Sequence, residues 1–252
     1  MNTKRIGAQT IDLPSRPRVA AYASIVGPKE GQGPLGAAFD QVLADDLVGE
    51  KTWEIAESKM FEHCVRLALQ KGSMQPEQVH FLLGGDLLNQ ITAASFAARQ
   101  LGLPYVGLYG ACSTMSESLC VGGMLIDGGM ADSAVCVASS HFCTAERQYR
   151  APLELGNQRP PTAQWTVTGV GATLLRAADQ APGATVCVSR VTCGKVVDMG
   201  VPDATNMGAA MAPVDANIDP YPMGTAACAA RESIRNMVLR RVGGTARACH
   251  AA

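Results

Sequence analysis

The stretch YVGLYGACSTMSESL, residues 105–119, reads as a short strand, a tight glycine turn and the opening of a helix. Tyr105–Leu108 is a short apolar run that ends at Gly110, and GACST (residues 110–114) then starts a helix reaching about Gly128. Strand, turn and helix in that order is the unit that builds α/β sheets. The unit repeats on both sides. Upstream, Val79–Leu83 reads as a buried strand closing on Gly84-Gly85-Asp86, followed by an Ala-rich helix over Ile91–Leu101. Downstream, Ser133–Ala138 reads as a strand closing on Ser139-Ser140-His141.

Further out, Val19–Val26 is the first clear strand, and a Gly/Pro-rich loop (Gly27–Gly36) follows it. Phe39, Val42, Leu43 and Leu47 then fall on a helical stripe. A second helix is predicted from an N-cap at Thr52, through Ile55, Ala56, Met60, Val65, Leu67 and Leu69, to a stop at Gly72. Past a loop rich in Arg, Pro and Gln, the runs Thr166–Leu175 and Thr185–Val197 are expected to form a closing pair of strands. The expectation is an α/β fold with a largely parallel sheet.

Composition narrows the functional classes. The 252 residues are 47% hydrophobic and 17% charged, against a typical ~25% charged, so much apolar surface must be covered. The net charge of −1 excludes the electrostatic footprint of a nucleic-acid binder and of a protein held to membranes by charge alone. Nine cysteines without a CxxC pair signal neither a zinc cluster nor a secreted disulfide framework. No window is apolar enough for a spanning helix, and the amino terminus lacks the apolar core of a signal peptide. These features predict a reduced, cytoplasmic chain, any membrane association of which would be peripheral.

In open α/β sheets ligands bind beyond the carboxyl ends of the strands. That rule singles out three segments, Gly84-Gly85-Asp86, Gly110-Ala111-Cys112 and Ser139-Ser140-His141. Cys112 sits where a helix amino terminus favours a thiolate and offers N–H groups to an anion or a developing oxyanion; the bland reading is a small residue packing the turn. His141 serves equally as a donor, a base or a satisfied core histidine. Asp86 is a helix cap, a cation ligand or a ligand-orienting group. Arg147, Arg150 and Lys29 are either anion partners or solvated loop cations. GPKEGQGPLG matches no phosphate-loop pattern, and GVGATLL reads as a glycine-flanked strand, so no nucleotide cofactor is expected. No metal site is signalled.

The peptide GACSTMSESL resembles the thiolase and ketoacyl-synthase superfamily. GPKEGQGPLG, GGDLLNQ, SSHFCTAERQYR, TVTGVGA and VVDMGVPDATNMGAAMAP, in that order over roughly residues 20–213, are similar to one branch of it, the stage V sporulation protein AD family. The resemblance implies a thiolase-like fold with a mostly parallel or mixed sheet and helices on both faces. It further implies a catalytic pocket turned into a binding pocket for dipicolinic acid, a flat aromatic dianion that travels with calcium into the developing spore. Asp86, Cys112, Ser140 and His141 would line that pocket, with calcium as part of the ligand and no separate cofactor. The implied partners are other stage V sporulation proteins at the spore inner membrane, and a homodimer stays open.

The chain departs from that superfamily by lacking the second-half residues that supply catalytic histidines. Residues 1–213 are read as the amino-terminal unit. Residues 214–252, where 231–252 hold five Arg and one Glu, are read as a divergent or frameshifted tail of a truncated product. The competing reading is an acyl-transferring enzyme with Cys112 as nucleophile.

Overall fold

The computed structural model describes residues 4–88, 91–149 and 166–194, with the side chains of 146–149 left aside. The boundary near 213, the tail, and Arg147 and Arg150 as anion partners lie outside the described residues.

Strand β1 (Arg5–Ile6), β2 (Thr10–Asp12) and β3 (Arg18–Val26) open the chain, followed by the four-residue helix α1 (Pro28–Gly31) and β4 (Gln41–Val42). Helix α2 spans Trp53–Lys71, β5 Phe81–Asp86, α3 Thr92–Leu101 and β6 Tyr105–Gly107. Helix α4 covers Thr114–Asp127, β7 Ser133–Ser140, α5 Phe142–Tyr149, β8 Gly169–Arg176 and β9 Arg190–Thr192. Six strands form one sheet in the order β4-β3-β8-β7-β5-β6. The α/β expectation with helices on both faces holds, and the sheet is mixed: β8 runs antiparallel to both β3 and β7, while β7, β5 and β6 are mutually parallel.

Alternation along the central strands feeds two separate cores. Leu82, Val135, Val137, Val170 and Leu174 face α2 and α3, whose Met60, Phe61, Cys64, Val65, Ala94 and Ala97 complete that layer. Leu83, Ala134, Cys136 and Leu175 face α4 on the other side. Strands buried on both faces read as near-continuous apolar runs, which is why β5 and β7 are the plainest strands in the sequence.

Helix α2 starts and stops as its sequence predicts. Thr52 has extended backbone, its hydroxyl oxygen accepts from the Ile55 N–H at 3.3 Å, and Gly72 is the carboxyl-terminal cap. Thr52→Ala should therefore cost about 1 kcal/mol, measured as a lowered urea midpoint with unchanged m-value.

Two expectations fail. The stripe Phe39–Leu47 forms no helix. Val26 and Ile25 pair in parallel with β4, Asp40 accepts from the Ser24 N–H and from Lys71, and Asp45 accepts from the amides of Leu47 and Val48. These local aspartate bonds compete with the helical ladder. The runs at 166–175 and 185–197 do not pair with each other. Strand β8 already has a neighbour on each edge, so β9 joins β1 and β2 in a small antiparallel sheet, and Val188 and Val191 pack with Leu13 in the core layer on the α4 side.

Candidate functional site

Because β7, β5 and β6 are adjacent and parallel, their carboxyl ends lie side by side. Asp86 is directly opposite Ser139, and Gly84 opposite Gly107. The segments bearing Asp86, Cys112 and Ser140-His141 thus leave one edge of the sheet.

Cys112 lies in a single 3-10 turn, Ala111–Ser113, between β6 and α4, and its side chain is exposed. The turn is held by Ser113, whose hydroxyl and N–H both donate to the Gly110 carbonyl at 2.8 and 2.9 Å. Ala111 has φ +47°, a left-handed conformation that costs an alanine roughly 1–2 kcal/mol. Such strain clusters at functional turns. Immediately beyond, Thr114 is buried with a hydroxyl that finds no hydrogen-bond partner.

Asp86 is buried, and its two oxygens accept from the amides of Leu88 (3.1 Å) and Ala94 (2.9 Å). It caps α3 from the end of β5, since Ala94 belongs to the helix's first turn. Burial raises its pKa against those N–H bonds. Ser140 donates its hydroxyl to the Val167 carbonyl.

His141 is fully buried, stacks on Phe142, and has both ring nitrogens engaged. Nδ1 lies 3.2 Å from the Cys143 N–H and must accept; Nε2, 2.9 Å from the Asp46 carbonyl, must donate. The ring is therefore the neutral Nε2–H tautomer. Burial depresses its pKa, against the opposing hydrogen bond and charge of Asp46. Asp46 is in turn pushed up, by burial first and by Glu30. Glu30 accepts from the Thr168 N–H at 3.1 Å through one oxygen, and its other oxygen is buried without a partner.

The sequence reading missed Glu57. It lies on α2, 1% exposed, beneath the same strand end. One carboxyl oxygen is 2.8 Å from the Ser139 hydroxyl and the other 2.8 Å from the Thr144 hydroxyl. Burial pushes its pKa up to about 7, the two hydroxyls oppose the shift, and the charge of Asp86 adds to it. The pattern held a signal: Met60, Phe61 and Cys64 follow at i+3, i+4 and i+7, so Glu57 falls on the helix's apolar stripe.

A separate groove of about 580 Å³ runs along the outer faces of α2 and α3, lined by Glu54, Ile55, Lys59, His63, Phe96 and Arg99 among others. It contains none of the strand-end residues. Among the described residues no group of three or more His, Cys, Asp or Glu is arranged to hold a metal ion, and no helix is long and apolar enough to cross a membrane.

Solved structures that resemble the chain include OleA from Xanthomonas campestris, at 16% identity and a TM-score of 0.46 over 67% of this chain and 58% of that one. A further OleA structure, with bound lauric acid and lauroyl-CoA, gives 18% identity and a TM-score of 0.44 over the same shares. Stage V sporulation protein AD of Bacillus subtilis (strain 168) is 44% identical over 199 residues, 79% of this chain and 58% of the relative's length. The chain thus spans well under two thirds of that relative. The family model for stage V sporulation protein AD (SpoVAD) matches residues 7–223. By sequence and by extent of match, the chain belongs to the stage V sporulation protein AD family.

Proposed function

We propose that this sporulation-family chain binds dipicolinate, with calcium as part of the cargo, beyond the ends of β5, β6 and β7. In this reading it supports dipicolinate uptake into the developing spore without acyl-transfer chemistry. The observation that carries the reading is Cys112: an exposed thiol at the amino end of a fourteen-residue helix, with no histidine hydrogen-bonded to it among the described residues. His141 has both nitrogens committed, and His80 accepts the Asp132 N–H through Nδ1. A nucleophilic thiol requires an adjacent base or a strongly depressed pKa. The N–H groups of a helix amino terminus suit carboxylates without such a base.

The chain would act peripherally, beside other stage V sporulation proteins at the spore inner membrane. Calorimetry of the folded chain with dipicolinate, with and without calcium, should give saturable binding that Cys112→Trp abolishes by filling the exposed turn. No binding in a folded sample overturns the reading. The competing reading makes Cys112 an acyl nucleophile, so incubation with an acyl-CoA followed by mass spectrometry separates the two. An unmodified Cys112 is expected, whereas an adduct that turns over would favour acyl transfer.

A further inference from the structure

Glu57 is a fully buried carboxyl held between two hydroxyls. Its Oε1 lies 2.8 Å from the Ser139 hydroxyl and its Oε2 2.8 Å from the Thr144 hydroxyl. Thr144 Oγ1 is also 3.1 Å from the His141 carbonyl, and a hydroxyl has one proton to give. With Glu57 ionised, Thr144 gives that proton to the carboxylate, and the His141 carbonyl keeps the Ala145 N–H at 3.0 Å. With Oε2 protonated, Glu57 donates to Thr144, Thr144 donates to His141, and Ser139 donates to Oε1. The hydrogen bonds can therefore be made in either state, and burial and charge decide between them.

The charges around it argue for a retained proton. Asp86 on β5 is the leading charged neighbour and Glu54 on α2 a weaker one, both negative. Strand β7 and helix α5 meet it with the hydroxyls of Ser139 and Thr144, and His141 between them is neutral. Among the described residues no lysine or arginine forms an ion pair with it. A carboxyl that is 1% exposed and lacks a cation is costly to ionise.

We propose that Glu57 is the positioning residue of the strand-end site and that it retains a proton when an anionic ligand binds. Protonated, it ties the end of β7 to the first turn of α5 and adds no charge beside Asp86. Ionised, it places a second buried negative charge under a site meant for a dicarboxylate. This rests on the dicarboxylate-binding reading above, and it adds that binding is linked to proton retention. The raised pKa, about 7, sets the exchange in the neutral range.

The test is calorimetry of the whole chain with sodium dipicolinate, without calcium, from pH 6.5 to 8.5, repeated in buffers of different ionisation enthalpy. The ligand is a dianion throughout, so any proton linkage belongs to the protein. Affinity should fall about tenfold across the range, with proton uptake on binding at the alkaline end. In Glu57→Gln it should vary less than twofold. Thr144→Val removes a hydroxyl that stabilises the carboxylate, and should move the midpoint of the fall to higher pH. Binding with the same pH slope in wild type and Glu57→Gln, or a flat wild-type profile, overturns the proposal and leaves the binding reading standing. No binding by either folded protein at any pH overturns both.

Discussion

Gly84→Ala should abolish soluble expression or lower stability by more than about 4 kcal/mol, because the added methyl has no direction in which to go. A Cβ built on Gly84 would sit 2.0 Å from the Val137 carbonyl oxygen and 2.9 Å from its carbon. Both are backbone atoms of β7, the neighbour that β5 pairs with from Phe81 to Asp86. A side-chain clash can be relieved by a rotamer change, but this one requires two central strands to part and their parallel ladder to stretch. Such overpacking falls at the severe end of single-site effects. Gly85 is constrained on the opposite face, where a Cβ would meet the Leu108 carbonyl oxygen at 2.3 Å. The control is Gly171→Ala in β8, where nothing lies within 4 Å of the added carbon. That variant should match the wild type or gain up to about 1 kcal/mol from a stiffer unfolded chain. Soluble yield and urea midpoints of the three proteins decide the matter, and a Gly84→Ala protein as stable as Gly171→Ala would refute the backbone-contact explanation.

The same contacts explain why some of the molecule could be read from its residues. Strands β5 and β7 are buried on both faces and therefore spell continuous apolar runs. Helix α2 carries its own start and stop in Thr52 and Gly72. Around Phe39–Leu47 a helical stripe misleads, because the winning interactions are long-range in sequence: Asp40 reaches Ser24 and Lys71, and β4 pairs with the end of β3. No local periodicity records a partner sixteen or thirty-one residues away. The position of β8 was hidden for a related reason. A strand's neighbours are chosen by which sheet edges are free, and β8 fills the gap between β3 and β7, leaving β9 to another sheet.

The strand-end rule located the right edge of the sheet without resolving the roles along it. Asp86 and His141 were legible as strand-end residues, yet each had several readings. Burial and partners distinguish them: Asp86 holds two amides of the α3 entry, and His141 bridges the Asp46 carbonyl and the Cys143 amide. Cys112 keeps an exposed side chain on a strained turn. The sequence pointed least clearly to Glu57, because a glutamate in a helix is ordinarily taken for solvated surface; only its phase against Met60, Phe61 and Cys64 marks it as buried.

Glu57 should also govern how stability depends on pH. Its folded-state pKa is raised from 4.5 to about 7, so between those values the folded chain holds a proton that the unfolded chain has released. Stability is then greatest below about pH 4.5 on this account, falls as pH rises toward 7, and levels off above it. A shift of that size corresponds to roughly 3 kcal/mol. Glu57→Gln mimics the protonated side chain: its oxygen accepts from Ser139, and its amide donates to Thr144, which passes its proton to the His141 carbonyl. That variant should lie within about 1 kcal/mol of wild type at pH 5 and exceed it by roughly 2 kcal/mol at pH 8. Glu57→Ala instead takes the acceptor from the buried Ser139 hydroxyl, leaves Thr144 only the His141 carbonyl, and opens a void in the core, costing about 2–4 kcal/mol at pH 5. Urea titrations at the two pH values, followed by circular dichroism, measure all three proteins. If Glu57→Gln loses stability with rising pH as steeply as the wild type does, the proton resides elsewhere, and Glu57 is an ordinary ionised carboxylate in the core.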